Sequence, residues 1–188
     1  MDIFIFIFLI IFMLHNLEEI IMVERWMKKT YPRVKHKVPP FMQKELDDFK
    51  DITAAQFAIV VFGVSILASI LLLISITNEQ YYLFLGISLA FAINIFSHPL
   101  QSLLLWCYTP GVITSIFLII PYYILLFNHL YATDMVNLNM FLGALVVVTL
   151  FILVFLFSQK IGKKNERNPI KSNCPLRFFS VLEHSFSS

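Results

Sequence analysis

The sequence predicts an all-α fold: a polytopic helical membrane bundle of about five transmembrane helices, with the N-terminus outside and the C-terminus cytoplasmic. Three observations carry this. The 188 residues are 59% hydrophobic and 14% charged, with a mean hydropathy of +0.79; soluble domains are about 45–50% apolar and about 25% charged. The apolar residues arrive in runs long enough to cross a hydrocarbon core of roughly 30 Å. All 14 Lys and Arg lie in two stretches, eight from Arg25 to Lys50 and six from Lys160 to Arg177. The positive-inside rule puts both stretches in the cytoplasm.

Span one covers about residues 3–24. Ile3 to Leu14 alone has the length of a signal-peptide core, but no Lys or Arg precedes it and no small-residue cleavage site follows. Twelve helical residues reach only about 18 Å, so a full span must continue to Val23. The first span is therefore expected to be retained, and His15, Glu18 and Glu19 fall inside the bilayer. Residues 25–53 form a cytoplasmic loop. Pro32, Pro39 and Pro40 break its first half, and Met42, Leu46 and Phe49 recur at helical spacing over 41–53, the pattern of a short amphipathic surface helix.

Span two covers about 54–77 and ends at a tight turn, Asn78-Glu79-Gln80. Span three runs over about 81–107 and turns at Tyr108-Thr109-Pro110-Gly111; span four covers about 112–127. The segment 128–137, with His129 and Asp134, reads as a solvated outer loop. Span five, about 138–157, closes a transmembrane bundle of residues 1–158 and leads into a basic cytoplasmic tail, 159–188. The aromatics agree with this topology: Trp26 and Trp106 fall at inner interfaces and Tyr81, Tyr82 and Tyr131 at outer ones. Lipid gives helices no hydrophobic reason to associate, so small residues should mark the contacts. Candidates are Ala54-x3-Ala58 and Ser65-x3-Ser69 on span two and Gly86-x3-Ala90 on span three.

Several function classes are excluded early. Only 5 glycines are present and no Gly-rich phosphate loop occurs. Cys107 and Cys174 fall on the same cytoplasmic side with no zinc-finger spacing, which argues against a structural disulfide. The basic tail has no folded platform, so no nucleic-acid partner is expected; the partner is the lipid bilayer.

The polar residues within the spans carry the functional reading. A charge at mid-span costs about 2.5–3.5 kcal/mol, and no Lys or Arg lies between Asp51 and Gln159 to offset Glu18 and Glu19. Protons, histidines, a metal cation or cavity water are the remaining reliefs. At 100° per residue Glu18 projects about 60° to one side of His15 and Glu19 about 40° to the other. On span three, Asn94, His98 and Gln101 share a face at a similar depth, and Pro99 should kink the helix beside His98. Gln56, Thr114 and Ser115 sit at comparable depth. Taken singly, Asn94 and Gln101 read as interhelical hydrogen-bonding groups, Pro99 and Pro121 as ordinary kinks, and Glu24 as a side chain reaching the interface beside Arg25. His36 and His184 read as solvated.

His15-x-x-Glu18-Glu19, Asn94-x3-His98 and Tyr108-x-Pro110-Gly111, in that order, resemble the HXXEE domain family of prokaryotic integral membrane proteins. Where that family has an Ala-Arg-Phe motif, this chain reads Ala55-Gln56-Phe57. The resemblance implies an integral membrane enzyme without a settled reaction.

The expected activity is that of a metal-dependent intramembrane hydrolase or lipid-modifying enzyme acting on a lipid or membrane-embedded substrate. The candidate ligands for a divalent zinc, iron or manganese ion are His15, Glu18, Glu19 and His98. Two imidazoles with one carboxylate leave a coordination position for water. The second glutamate would then act as general base, Asn94 would orient His98 or stabilise an oxyanion, and Tyr108 would donate to a head group. A metal-free glutamate-activated water, as in CAAX-processing intramembrane proteases, is disfavoured: Val23 stands where the arginine of their Glu-Glu-x-x-x-Arg would be. Two other classes compete with the enzyme reading. One is a proton- or cation-coupled transporter; the other is a non-catalytic membrane subunit in which the cluster only cements spans one and three.

Overall fold

Long apolar helices dominate the computed structural model, which describes residues 1–40, 43, 46–47, 50–133 and 137–167, the segment 155–167 as backbone alone. α1 (Asp2–Lys29) is the first. A four-residue helix, α2 (Tyr31–Val34), and a 3₁₀ turn (Lys35–Lys37) follow it. α3 (Ala54–Thr77) runs antiparallel to α1. The third crossing is split into α4 (Tyr81–Ala92) and α5 (Asn94–Leu105). The fourth comprises one helical turn, α6 (Val112–Thr114), a π-helical segment (Ser115–Ile119) and α7 (Ile120–Ala132). α8 (Leu138–Arg167) is the last.

Four crossings, Asp2–Lys29, Ala54–Thr77, Tyr81–Leu105 and Val112–Ala132, are long and apolar enough to span a membrane. α8 adds a shorter apolar stretch, Leu138–Val154. The chain is a multi-pass membrane protein. Large apolar side chains such as Phe6, Phe62, Leu73, Phe96 and Phe117 stand exposed around the bundle, which water would penalise and lipid does not. The expected amphipathic helix over 41–53 lies largely outside the described residues. Gln43, Leu46 and Asp47 within it are helical, and Thr53 is extended.

The core is aromatic. Phe8 of α1 meets Phe84 and Phe91 edge-on at 5.8 and 5.5 Å between ring centroids, each such pair contributing about 0.5–1.5 kcal/mol beyond its buried area. α4 also packs closely on α8. A Cβ added to Gly86 would sit 2.5 Å from Val147 Cβ and 2.8 Å from the Ala144 carbonyl oxygen, so glycine sets the approach of these two helices.

A second apolar cluster, with Trp26, Tyr31, Val38 and Leu105 among its members, closes the end of the bundle that carries the loop from residue 25 to residue 53, here called the basic end. Glu24 does more than reach an interface there. It pairs with Lys28 at 2.6 Å and accepts the Ala54 amide at 2.8 Å, holding the start of α3. Gln56, at the position of the family arginine, closes a capping box with Thr53.

Trp26 is buried at the basic end and donates to the Tyr108 carbonyl at 2.6 Å. Four expectations need correction. The fourth crossing continues to Ala132, because the apolar helical pattern runs on through Leu126 and Leu130, both buried. His129 is therefore not in a solvated loop; it stacks on Phe4 at 4.7 Å, while Asp134 lies outside the described residues. Finally, the third crossing breaks at Ile93 and keeps Pro99 inside α5. A proline disturbs the carbonyl four residues before it, here Ile95, so the distortion falls N-terminal to His98. Pro121 acts likewise, following a π-helical segment in place of a simple kink.

Candidate metal centre

Three elements meet near the basic end: the middle of α1, the first turns of α5, and the turn from Trp106 to Thr114. The turn is shaped by two left-handed residues, Trp106 (φ 54°) and Gly111 (φ 84°). Ser102 Oγ donates to the Cys107 carbonyl at 2.7 Å and Thr109 Oγ1 to the His98 carbonyl at 3.3 Å, tying the turn back to α5. Gly111 lies against both imidazoles. A Cβ there would stand 2.8 Å from His15 Cε1 and 3.0 Å from His98 Cε1.

His15, 1% exposed, occupies the centre of the α1 polar face. Its ring packs edge-on to Phe91 and lies 5.0 Å from the His98 ring. Glu19 Oε1 is 3.9 Å from His15 Nε2 and 3.3 Å from His98 Nε2. One ligand atom from each of the three lies within 4.8 Å of the others. Tetrahedral zinc with bonds of about 2.0–2.1 Å needs ligand atoms roughly 3.3 Å apart, so closing on an ion requires only small side-chain shifts. His15 Nε2 and His98 Nδ1 are buried and have no hydrogen-bond partner among the described residues, which a protein interior ordinarily avoids. The cluster can coordinate a divalent metal within a membrane-spanning bundle.

Glu18 faces elsewhere. Its Oε1 accepts from the Tyr108 hydroxyl at 2.7 Å and the Ile113 amide at 3.3 Å; its Oε2 accepts from the Thr114 amide at 2.8 Å and the Thr114 hydroxyl at 2.6 Å. Two carboxylate oxygens offer about four acceptor sites, and all are used. α6 has no side-chain cap of its own, and Glu18 supplies one from another helix. Burial, and then the Glu18 carboxylate it donates to, push the Tyr108 phenol well above its usual range.

Of the residues singled out from sequence, His15, Glu19 and His98 converge. Glu18 and Tyr108 lie beside them, bonded to each other. Asn94, the first residue of α5, makes no side-chain hydrogen bond among the described residues. The depth of Thr114 is readable from the sequence but its contacts are not: its hydroxyl also meets His15 Nδ1 at 2.8 Å. The readable signal was a helix start, Gly111-Val112-Ile113-Thr114, with no capping side chain before it.

A family model described as a protein of unknown function with HXXEE motif matches residues 6–126. The chain belongs to the HXXEE family. The matched range contains all three residues of the trio and the Tyr108–Thr114 turn. Neither curated proteins nor solved structures give a significant match. Membership of the HXXEE family thus brings a motif without a reaction, and the chemistry rests on the geometry.

Proposed function

We propose that this HXXEE protein is a metal-dependent membrane enzyme, a hydrolase or lipid-modifying enzyme, in which His15, Glu19 and His98 hold one divalent ion. The observation that carries the reading is the convergence of two imidazoles and one carboxylate inside the bundle, with His15 Nε2 left bare. Two nitrogens and one oxygen suit zinc, iron or manganese and leave a position for water or substrate. A bound ion would polarise a carbonyl or phosphoryl oxygen and lower the pKa of a water.

The protein groups divide the remaining work. Glu18 has no free lone pair to take a reacting proton, so it serves as a fixed anchor for the Tyr108–Thr114 turn. With Glu18 so engaged and Glu19 the ion's oxygen ligand, neither carboxylate of the pair is left to act as a separate general base. The Tyr108 hydroxyl, engaged by Glu18, reaches a head group only by giving up that bond. Gly111 closes one side of the site without a side chain, keeping both imidazoles in van der Waals contact with the backbone. The positive-inside pattern of Lys and Arg supports a site in the cytoplasmic half of the bilayer, and its depth supports a lipid or membrane-embedded substrate over a freely soluble one.

Metal analysis of the purified full chain tests this directly. The wild type should carry close to one equivalent of zinc, iron or manganese after loading and washing, and His15→Ala, Glu19→Gln and His98→Ala should carry little. Equal, negligible metal in all four would remove the metal reading. Proton or cation flux in proteoliposomes, abolished by Glu19→Gln, would then favour the carrier.

A further inference from the structure

Whether His15 can bind an ion through Nε2 depends on where its ring proton resides, and the hydrogen count around Thr114 decides that. We infer that Thr114 is a positioning residue: anchored by Glu18, it locks His15 in the tautomer with hydrogen on Nδ1 and so presents Nε2 as a bare ligand atom. The consequence for metal affinity rests on the reading above; the tautomer does not.

The Thr114 hydroxyl has one hydrogen and three acceptors within reach: Glu18 Oε2 at 2.6 Å, His15 Nδ1 at 2.8 Å and the Gly111 carbonyl at 3.3 Å. An oxygen–oxygen distance of 2.6 Å is that of a charge-assisted bond to a carboxylate, about twice as strong as a neutral one. The hydrogen therefore goes to Glu18. Reversal would need a protonated Glu18, which the amides of Ile113 and Thr114 ending on its oxygens disfavour, since hydrogen bonds donated to a carboxylate stabilise its ionised form.

The 2.8 Å contact between His15 and Thr114 must then be made by a hydrogen on Nδ1, with Thr114 Oγ1 accepting. A neutral imidazole has one N–H, so Nε2 holds a lone pair. An independent observation agrees: Nε2 is buried, lacks a hydrogen-bond partner and faces Glu19 Oε1 at 3.9 Å, too far for a hydrogen bond. A ligating histidine needs this state, with its other nitrogen donating to a fixed acceptor. The route Glu18–Thr114–His15 supplies that acceptor from the start of the fourth crossing.

The test uses the full chain in detergent micelles at neutral pH, stripped of metal and labelled with ¹⁵N in histidine. Two-bond ring spectra distinguish Nδ1–H from Nε2–H. Wild type and Thr114→Ser should show His15 with hydrogen on Nδ1, and Thr114→Val should show a mixture or the opposite tautomer. Zinc added alone should then bind Thr114→Val about ten- to a hundredfold more weakly than wild type, with Thr114→Ser close to wild type. An Nε2–H signal for wild-type His15 overturns the inference even if Thr114→Val does not fold, as does a Thr114→Val spectrum identical to wild type. The expected tautomers with no zinc affinity in any variant would uphold the lock and sink the metal reading. Equal zinc affinity in wild type and Thr114→Val, with the ring proton unmoved, would do the reverse.

Discussion

Both hydrogens that Thr114 can donate end on the same oxygen of Glu18, the amide at 2.8 Å and the hydroxyl at 2.6 Å. The two residues are 96 positions apart, on the first and fourth crossings. One glutamate of the adjacent pair is thereby committed to holding the fold, while its neighbour Glu19 stays with the two histidines. The separation follows from helix geometry, since consecutive residues project about 100° apart and meet different neighbours.

This division predicts opposite behaviour for two conservative substitutions. Glu18→Gln replaces an acceptor-only group by one carrying an NH₂, leaving at least one donor of Tyr108, Ile113 or Thr114 unpaired at about 1–3 kcal/mol. Its thermal midpoint in micelles should fall well below wild type with or without metal. Glu19→Gln should unfold near the wild-type temperature when metal-free and should lose metal binding. Equal destabilisation by both would contradict the assignment.

Gly111→Ala should be among the most damaging small substitutions. Its φ of 84° costs a residue with a Cβ about 1–2 kcal/mol, and the Cβ would press on both imidazoles. Reduced stability together with reduced metal affinity is expected. A variant that loses only stability would mean that the two rings can yield to the methyl group.

A clash of a different kind is expected at Gly86→Ala, far from the trio. The methyl group would overlap Val147 Cβ and the Ala144 carbonyl oxygen, and α8 would have to shift. Overpacking of this sort costs about 1–3 kcal/mol. Thermal unfolding should show the loss, with metal binding per folded molecule unchanged.

The basic end should respond to pH through a contact outside the membrane. Asp47 accepts from Lys35 at 2.6 Å and from the Tyr31 hydroxyl at 3.0 Å. The Lys35 hydrogen bond, foremost, holds the Asp47 carboxyl below its ordinary value. Burial, then Asp47, pushes the Tyr31 phenol up to about 12. A depressed carboxyl contributes above its unfolded value and is lost as pH falls through the folded one; a raised phenol contributes below about pH 10 and is lost on the way to about 12. The contact should therefore hold from about pH 5 to about pH 10 and loosen on either side. Trp26, 6.0 Å from Tyr31, reports it by fluorescence in a Trp106→Phe background. Emission unchanged between pH 8 and pH 12, where the Tyr31 phenol ionises, would argue against the contact.

Much of this arrangement was legible in the sequence because membrane physics leaves few choices. Apolar runs with confined Lys and Arg gave the crossings, and uncompensated carboxylates in a span marked the site. His98 was reachable as a partner because its depth and helical face could be counted from the turns. Thr114 was not, since its role depends on how Gly111 turns the chain, and one sequence gives no register between the first and fourth crossings. The choice between Glu18 and Glu19 was likewise open: the angles said that they part, not which meets His98.

The bond between Glu18 and the start of the fourth crossing also constrains biosynthesis. At about 5–20 residues per second, Thr114 emerges roughly 5–20 s after Glu18. For that interval the first crossing carries, in Glu18, a carboxyl group whose donors on the fourth crossing do not yet exist. The nascent chain must shelter it by protonation, by delayed entry into lipid or against the insertion machinery. Chains released before the fourth crossing is made would keep that burden permanently, which makes them natural targets for membrane quality control.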